Sequence, residues 1–213
     1  MVEESIVFGR PQADEQKLDE QLRPLRLGDF VGQAKLVDNL RLYIDAAKRR
    51  SESLDHVLFC GPPGLGKTTL ARIVANEMGS RLFSANGPAL TKAADLAGFL
   101  TQLGEGDIFF LDEIHRIPPT LEEYLYSAME DYVIDINLDP GNVTARTVRL
   151  DLPRFTLIGA TTKEGALQAP FRDRFGIVER LKYYEAADLQ TIAERNAKLL
   201  ECAIDGTAAH ALA

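Results

Sequence analysis

Eight residues, GPPGLGKT from Gly61 to Thr68, constrain this chain more than any other feature. They follow a short apolar run, His56-Val-Leu-Phe-Cys60, and precede Leu70, Ile73, Val74 and Met78, which share one helical face closed by Gly79. Glycine, four residues, then Gly-Lys-Thr between a strand pattern and a helix pattern is the signature of a loop that wraps phosphates. Average composition gives the string by accident in roughly 1% of chains this long, and the strand–turn–helix setting makes a mere glycine-rich turn a poorer reading still. The chemistry needs these residue types. Gly61, Gly64 and Gly66 let backbone N–H groups turn inward around phosphate oxygens, and the helix N-terminus adds the positive end of its dipole. Lys67 is placed to reach the β- and γ-phosphates, the Thr68 hydroxyl to ligate Mg²⁺, and Thr69 to donate on the α-phosphate side. ATP with Mg²⁺ is the expected ligand.

The rest of the chain alternates in the same way. Leu36, Leu40, Tyr43, Ile44 and Ala47 recur at helical spacing, and that helix ends in Lys48-Arg49-Arg50, cations suited to the negative end of its dipole. Leu82-Phe83 predicts a short strand, residues 92–103 a helix, Ile108-Phe-Phe-Leu111 a fully apolar strand and residues 119–129 a further helix. Phe155-Thr-Leu-Ile158 and Ile177 to Leu181 predict two more strands. Strands apolar on both faces, interleaved with helices, indicate an α/β fold with a parallel sheet flanked by helices. Tyr132 to Leu152 alternates apolar and polar residues around a Pro-Gly turn, which predicts a β-hairpin insertion with Ile134, Ile136 and Leu138 facing Val148 and Leu150. A last helix is expected over about 186–201, with Leu189, Ile192, Ala193 and Leu200 on its apolar side.

Two further strand ends carry chemistry. Ile108-Phe-Phe-Leu-Asp112-Glu113 ends in paired carboxylates 45 residues after Lys67. Acids often terminate strands, but after a phosphate loop such an aspartate holds the Mg²⁺ and the adjacent glutamate is the natural base for an attacking water. Glu113 thus points to hydrolysis. Phe155-Thr-Leu-Ile-Gly-Ala-Thr161-Thr162 ends in two hydroxyls, which either close a strand or hydrogen-bond the γ-phosphate or the lytic water. Arg172 and Arg174 flank Asp173 and pair with it in the plain reading. In the sharper one, an arginine acts on a neighbouring subunit's γ-phosphate, an effect worth about 10³–10⁵ in rate.

The order phosphate loop, Asp-Glu strand, Thr-ended strand and late arginine resembles the layout of AAA+ ATPases. LRPLRLGDFVGQ (22–33), SLDHVLFCGPPGLGKTTLARIVANEMG (53–79), GDIFFLDEIHRI (106–117), FTLIGATT (155–162) and FRDRFGIV (171–178) closely resemble the bacterial RuvB family, the ATPase motor of Holliday-junction branch migration. The resemblance covers nearly the whole chain after the first dozen residues. It implies that Leu22 and Arg23 lie against the nucleotide base, that Gly64, Lys67, Thr68 and Thr69 hold phosphates and Mg²⁺, and that Glu130, Asp131 and Tyr132 approach nucleotide. It also implies that Thr162, with Thr161 as second choice, is the first sensor, and that Arg174, with Arg172 as second choice, is the finger acting in trans. Tyr184 would help to enclose the nucleotide. By the same resemblance the assembly is a hexameric ring, the hairpin docks the junction-recognition partner RuvA, and Holliday-junction DNA is the substrate.

The implied organisation is a flexible arm over 1–17, an AAA+ large ATPase domain over 18–182 and the beginning of a helical small domain over 183–213. The family's second sensor arginine and winged helix are not among these residues, so the chain by itself is expected to bind ATP weakly, hydrolyse it slowly and grip DNA poorly. A net charge of −8 fits, since it disfavours broad attraction to nucleic acid. The two cysteines and three histidines are scattered outside ligand spacings, which argues against a disulfide framework or a cysteine or histidine metal site. No apolar stretch is long enough to cross a bilayer and the acidic N-terminus lacks the marks of a secretory signal, so the expected compartment is the cytoplasm. Three rivals stand beside this reading. Asp112-Glu-Ile-His115 spells the DExH of two-lobed DNA helicases, but there is no room for their second core. A clamp-loader-like subunit would carry Ser-Arg-Cys where this chain has Asp-Arg-Phe. A scaffold that binds nucleotide without turnover would not need Lys67, Asp112, Glu113 and Arg174 together.

Overall fold

The computed structural model describes residues 21–137 and 147–212. They fall into two compact units, residues 25–185 and residues 21–24 with 186–212.

In the larger unit, five parallel strands form a sheet: β1 (Val57–Cys60), β2 (Leu82–Asn86), β3 (Ile108–Asp112), β6 (Thr156–Thr161) and β7 (Ile177–Arg180), in the order β2-β3-β6-β1-β7. Their side chains alternate between two cores. Val57, Phe59, Ile108, Phe110, Ile158 and Ala160 share one core with the apolar stripes of α1 (Ala34–Arg50) and α2 (Lys67–Met78). Leu58, Cys60, Phe109, Leu111 and Leu157 point into the other, against α3 (Ala93–Leu100) and α4 (Pro119–Glu130). Burial on both faces is why these strands read as unbroken apolar runs. In the middle of β6, Gly159 leaves room that a side chain would fill, since a Cβ there would lie 3.0 Å from Ile114 and 3.1 Å from Leu58.

The helices keep close to their expected bounds. On α1, Leu36, Leu40, Ile44 and Ala47 are buried, but Tyr43 is 38% exposed: at one residue before Ile44 it falls off the stripe toward solvent. Gly79 closes α2 in the left-handed conformation, with its N–H on Ala75 and Asn76 carbonyls. The third helix is shorter than 92–103, because Asp95 accepts from the Thr91 and Lys92 amides and fixes its start, and Thr101 already caps its end. A four-residue helix, α5 (Ala169–Arg172), comes between β6 and β7.

The hairpin consists of antiparallel β4 (Val133–Asn137) and β5 (Thr147–Asp151), with the two strands paired as the alternation predicts and in a register that sets Ile134 opposite Leu150 and Ile136 opposite Val148. Leu138 and the turn lie outside the described residues. Ile134 is buried in the second core, which roots the hairpin on its own domain. At the β7 edge, Gln33 donates from Nε2 to the Lys182 carbonyl and accepts the Lys182 N–H at 3.1 Å on Oε1.

The smaller unit holds α6 (Ala186–Leu199) and α7 (Gly206–Leu212). No residue of α6 is buried, and Leu200 falls beyond its end, 38% exposed, so the apolar side expected there covers nothing fully. Asp205 caps α7 by accepting the Ala208 N–H at 2.7 Å. Arg195 donates to the Leu22 carbonyl at 3.0 Å.

Candidate active site

The loop from β1 to α2 turns on glycine. Gly64 and Gly66 have φ of +79° and +93°, and Gly61 sits so close to the chain after β7 that a Cβ would come within 2.8 Å of the Leu181 carbonyl oxygen. Gly66 is the N-cap of α2, so the first-turn N–H groups of that helix open toward the loop. Lys67, 7% exposed, curls back and donates to the Gly61 carbonyl at 2.9 Å and the Pro62 carbonyl at 2.7 Å. Burial lowers its pKa, while the carboxylates of Asp112 and Glu113 oppose that shift and favour the charged form. Around the loop, the Phe30 ring lies against Gly66 and the Tyr184 hydroxyl donates to the Leu65 carbonyl at 3.2 Å.

The carboxyl end of β3 delivers the acids beside this loop. Asp112 Oδ2 is 3.5 Å from the Thr68 hydroxyl, and Oδ1 accepts the Glu113 N–H at 2.9 Å. Two oxygens of this kind, one hydroxyl and one carboxylate, are the hard donors that suit Mg²⁺. Glu113 adopts φ +48°, a left-handed conformation that costs a non-glycine residue free energy. Its carbonyl abuts Gly87, where a Cβ would stand 2.4 Å from the oxygen. Glu113 Oε2 lies 3.4 Å from His115 Nε2. At the end of β6 the Thr161 side chain is fully buried, its hydroxyl 3.0 Å from His115 Nδ1 and accepting the Lys163 N–H at 2.9 Å. Thr162 is half-buried beside it. The adjacent Cys60 is no nucleophile, because burial, with Glu164 beside it, pushes the thiol up to about 12.

Gly61, Gly64, Gly66, Lys67, Thr68, Thr69, Asp112, Glu113, Thr162 and Tyr184 therefore gather at the carboxyl end of the sheet. Arg174, Glu130, Asp131 and Tyr132 do not: they lie where strands begin. Arg174 precedes β7, donates to the Tyr126 hydroxyl at 2.9 Å, ion-pairs with Glu130 and has its guanidinium 4.9 Å from the centre of the Tyr126 ring. Tyr126 and Glu130 are four residues apart on α4 and so share a face. Asp173 pairs instead with Arg172, at 3.7 Å. Tyr132, at φ +55°, meets Phe155 edge-on and lies tilted near His56, under the Arg154 guanidinium. A cavity of about 800 Å³ opens here, lined in part by Asp55, His56, Tyr132, Arg154 and Arg174. Leu22 and Arg23 belong to the smaller unit.

Sequence reading passed over His115, Gly87 and Tyr126 as site residues. His115 stood in plain view after Asp112-Glu113, but its partner Thr161 is 46 positions away.

A parallel sheet in this order, with a glycine loop and paired carboxylates at its carboxyl end, defines a P-loop ATPase-type core of the AAA+ kind. Residues 22–181 match the family "Holliday junction DNA helicase RuvB P-loop domain", and the chain belongs to that family. It is 57% identical over 203 residues to the Holliday junction branch migration complex subunit RuvB of Pelodictyon phaeoclathratiforme, covering 95% of this chain and 59% of that protein. The corresponding subunit of Prosthecochloris aestuarii is 58% identical over 199 residues, covering 93% of this chain and 58% of its own length. The solved structure of the Thermotoga maritima RuvB Holliday junction branch migration motor superposes with a TM-score of 0.79 at 44% identity, covering 89% of this chain and 58% of that one. The chain thus spans less than two thirds of the relatives it matches.

Proposed function

We propose that this chain is the ATP-hydrolysing core of a motor subunit that drives branch migration of Holliday junctions, working in the cytoplasm as a ring of six copies. One observation carries the reading: Lys67, Thr68, Asp112 and Glu113 stand at one end of a parallel sheet, and Arg174 at the other. Strands of four to six residues at about 3.3 Å per residue separate the two ends by roughly 13–20 Å, beyond the reach of a side chain. A site with both sets of groups therefore needs a second copy.

In this mechanism Gly61, Gly64 and Gly66 shape the loop whose amides hold the phosphates, and Thr69 donates on the α-phosphate side. Lys67 exchanges its two loop carbonyls for phosphate oxygens, gaining charged acceptors for neutral ones. Thr68 and Asp112 hold Mg²⁺, which when bound offsets phosphate charge. Glu113 takes the proton of the attacking water. Thr162 contacts the γ-phosphate, and Leu22, Arg23 and Tyr184 enclose the rest of the nucleotide. Arg174 of one copy stabilises the transition state on its neighbour's loop, with Glu130, Asp131 and Tyr132 brought to the same seam. Residues 183–213 open the small domain, and the hairpin from Tyr132 to Leu152 docks a RuvA-type partner. At net charge −8, the 213 residues alone grip DNA poorly.

The test mixes full-length Glu113→Gln and Arg174→Ala subunits. Some seams of a mixed ring pair an intact base with an intact finger, so partial recovery of ATPase is expected. No recovery despite confirmed co-assembly overturns action in trans. Turnover stimulated by duplex ends but never by four-way junctions, with or without the partner, would favour a clamp-loader-like role.

A further inference from the structure

We infer that His115 is a positioning residue for the general base, fixing the Glu113 carboxylate from the end of the neighbouring strand. The inference rests on the reading of Glu113 as base and goes beyond it.

The contacts around the imidazole fit one neutral tautomer. Thr161 Oγ1 accepts the Lys163 N–H at 2.9 Å, so its own proton is directed away from that amide. The atom in reach is His115 Nδ1, 3.0 Å away. A neutral imidazole that accepts at Nδ1 carries its proton on Nε2. That nitrogen faces Glu113 Oε2 at 3.4 Å. In that tautomer donation runs from the Lys163 amide to Thr161 and from Thr161 to His115, and the Nε2–H stands as a close polar contact 3.4 Å from the Glu113 carboxylate. Burial keeps the relay in place, since Thr161 is fully buried and the His115 side chain is 9% exposed.

The root of Glu113 is fixed separately. Its φ of +48° sets an unusual backbone direction, and its carbonyl is packed on Gly87 at the end of β2. Gly87 holds the base of the side chain and His115 holds its tip. A carboxylate tethered at one end only would sweep several rotamers, and productive proton transfer needs one geometry within hydrogen-bond reach of the water. Thr161 also adjoins Thr162, so a shift of the β6 end passes to Glu113 through one imidazole.

Glutamine and asparagine separate the two bonds, because a glutamine amide reaches the place of Nε2 and an asparagine oxygen the place of Nδ1. In full-length protein, His115→Asn and His115→Ala are expected to lower kcat for ATP about 10-fold or more, the scale of outer-shell losses at catalytic sites, with KM and nucleotide affinity little changed. His115→Gln, which keeps the donor to Glu113, should retain most of the wild-type kcat. Long-range ¹H–¹⁵N spectra of the histidine rings should show His115 protonated at Nε2 in the wild type, and altered in Thr161→Val. An Nδ1-protonated ring, a wild-type kcat in His115→Asn, or equal losses in all three variants with nucleotide binding lost would each overturn the inference. Undiminished turnover in Glu113→Gln would instead bring down the base reading and this inference with it. The ring spectra read the hydrogen bonds whether or not the protein turns over.

Discussion

The two ends of the central sheet are built on opposite plans. At the carboxyl end, a cation and two acids come from two neighbouring stretches of chain and already have partners there: Lys67 on its loop, Thr68 on Asp112, Glu113 beside His115. At the amino end, Arg174 is bracketed by Tyr126 and Glu130 beside a cavity of about 800 Å³ that Arg154 also lines. One end resembles a hand and the other a tool held out. In the proposed mechanism the difference separates binding from acceleration: phosphate affinity would rest on groups local to the loop, and the arginine would act on the rate at a neighbour's site without contributing to its own chain's binding.

That division can be broken by experiment. The largest expected effect is that of Arg174→Ala in the assembled protein, a loss of about 10³–10⁵ in turnover, with nucleotide affinity of the isolated chain unchanged by calorimetry. Weakened nucleotide binding in the isolated variant would break the comparison outright. Glu113→Gln should cost about 10²–10⁴ in turnover while leaving bound ATP intact, as rapid filtration with radiolabelled nucleotide would show. Lys67→Ala should reverse the pattern at the loop, raising the nucleotide Kd by about 10- to 100-fold, in keeping with about 1.5–3 kcal/mol for a charged hydrogen bond. Tyr126→Phe keeps the ring under Arg174 but removes the hydroxyl that accepts from it. It should lower turnover of the assembled protein only a few-fold, at about 0.5–1.5 kcal/mol for such a bond, and sharpen how the arginine is held.

The smallest effect concerns stability. His56 accepts the Leu157 N–H at 2.9 Å and donates to the Met129 carbonyl, tying β6 to the end of α4. Burial lowers its pKa below 6.5, so the unfolded chain takes up a proton that the folded one refuses. Its contribution is therefore complete above 6.5 and is lost as the pH falls below that value. Thermal melts at pH 7.5 and pH 5 should show a drop of a few degrees, at about 2–4 °C per kcal/mol for a domain of this size, and His56→Gln should flatten it. An unchanged slope would show that the amino end is not held this way.

Much of this was legible in the chain itself. The strands announce themselves because both faces are buried, and the phosphate loop because its glycines are needed for left-handed backbone at Gly64 and Gly66 and for close approach at Gly61. Alternation was enough to place Ile134 and Ile136 on the face of Val148 and Leu150, but the pairing of Ile134 with Leu150 is read from the structure. Tyr43 went astray because an aromatic at a plausible helical position can still fall a fraction of a turn outside the stripe. The links that align the site were hidden for a different reason. Arg174 with Glu130, and His115 with Thr161, are joined across more than 40 positions by the return of the chain through the sheet. Local pattern carries no trace of such pairs. The short helix α5 was missed because four residues hold too little periodicity to register.

The Gln33 carboxamide has an effect on what the protein avoids. β7 is an outermost strand, and an outermost strand offers unpaired amides and carbonyls to any extended peptide that drifts alongside. Just past its end, both main-chain groups of Lys182 are already occupied by one glutamine that imitates a strand's own donor and acceptor. A foreign strand approaching that corner finds no free rung, so the sheet is guarded there against growing by accretion.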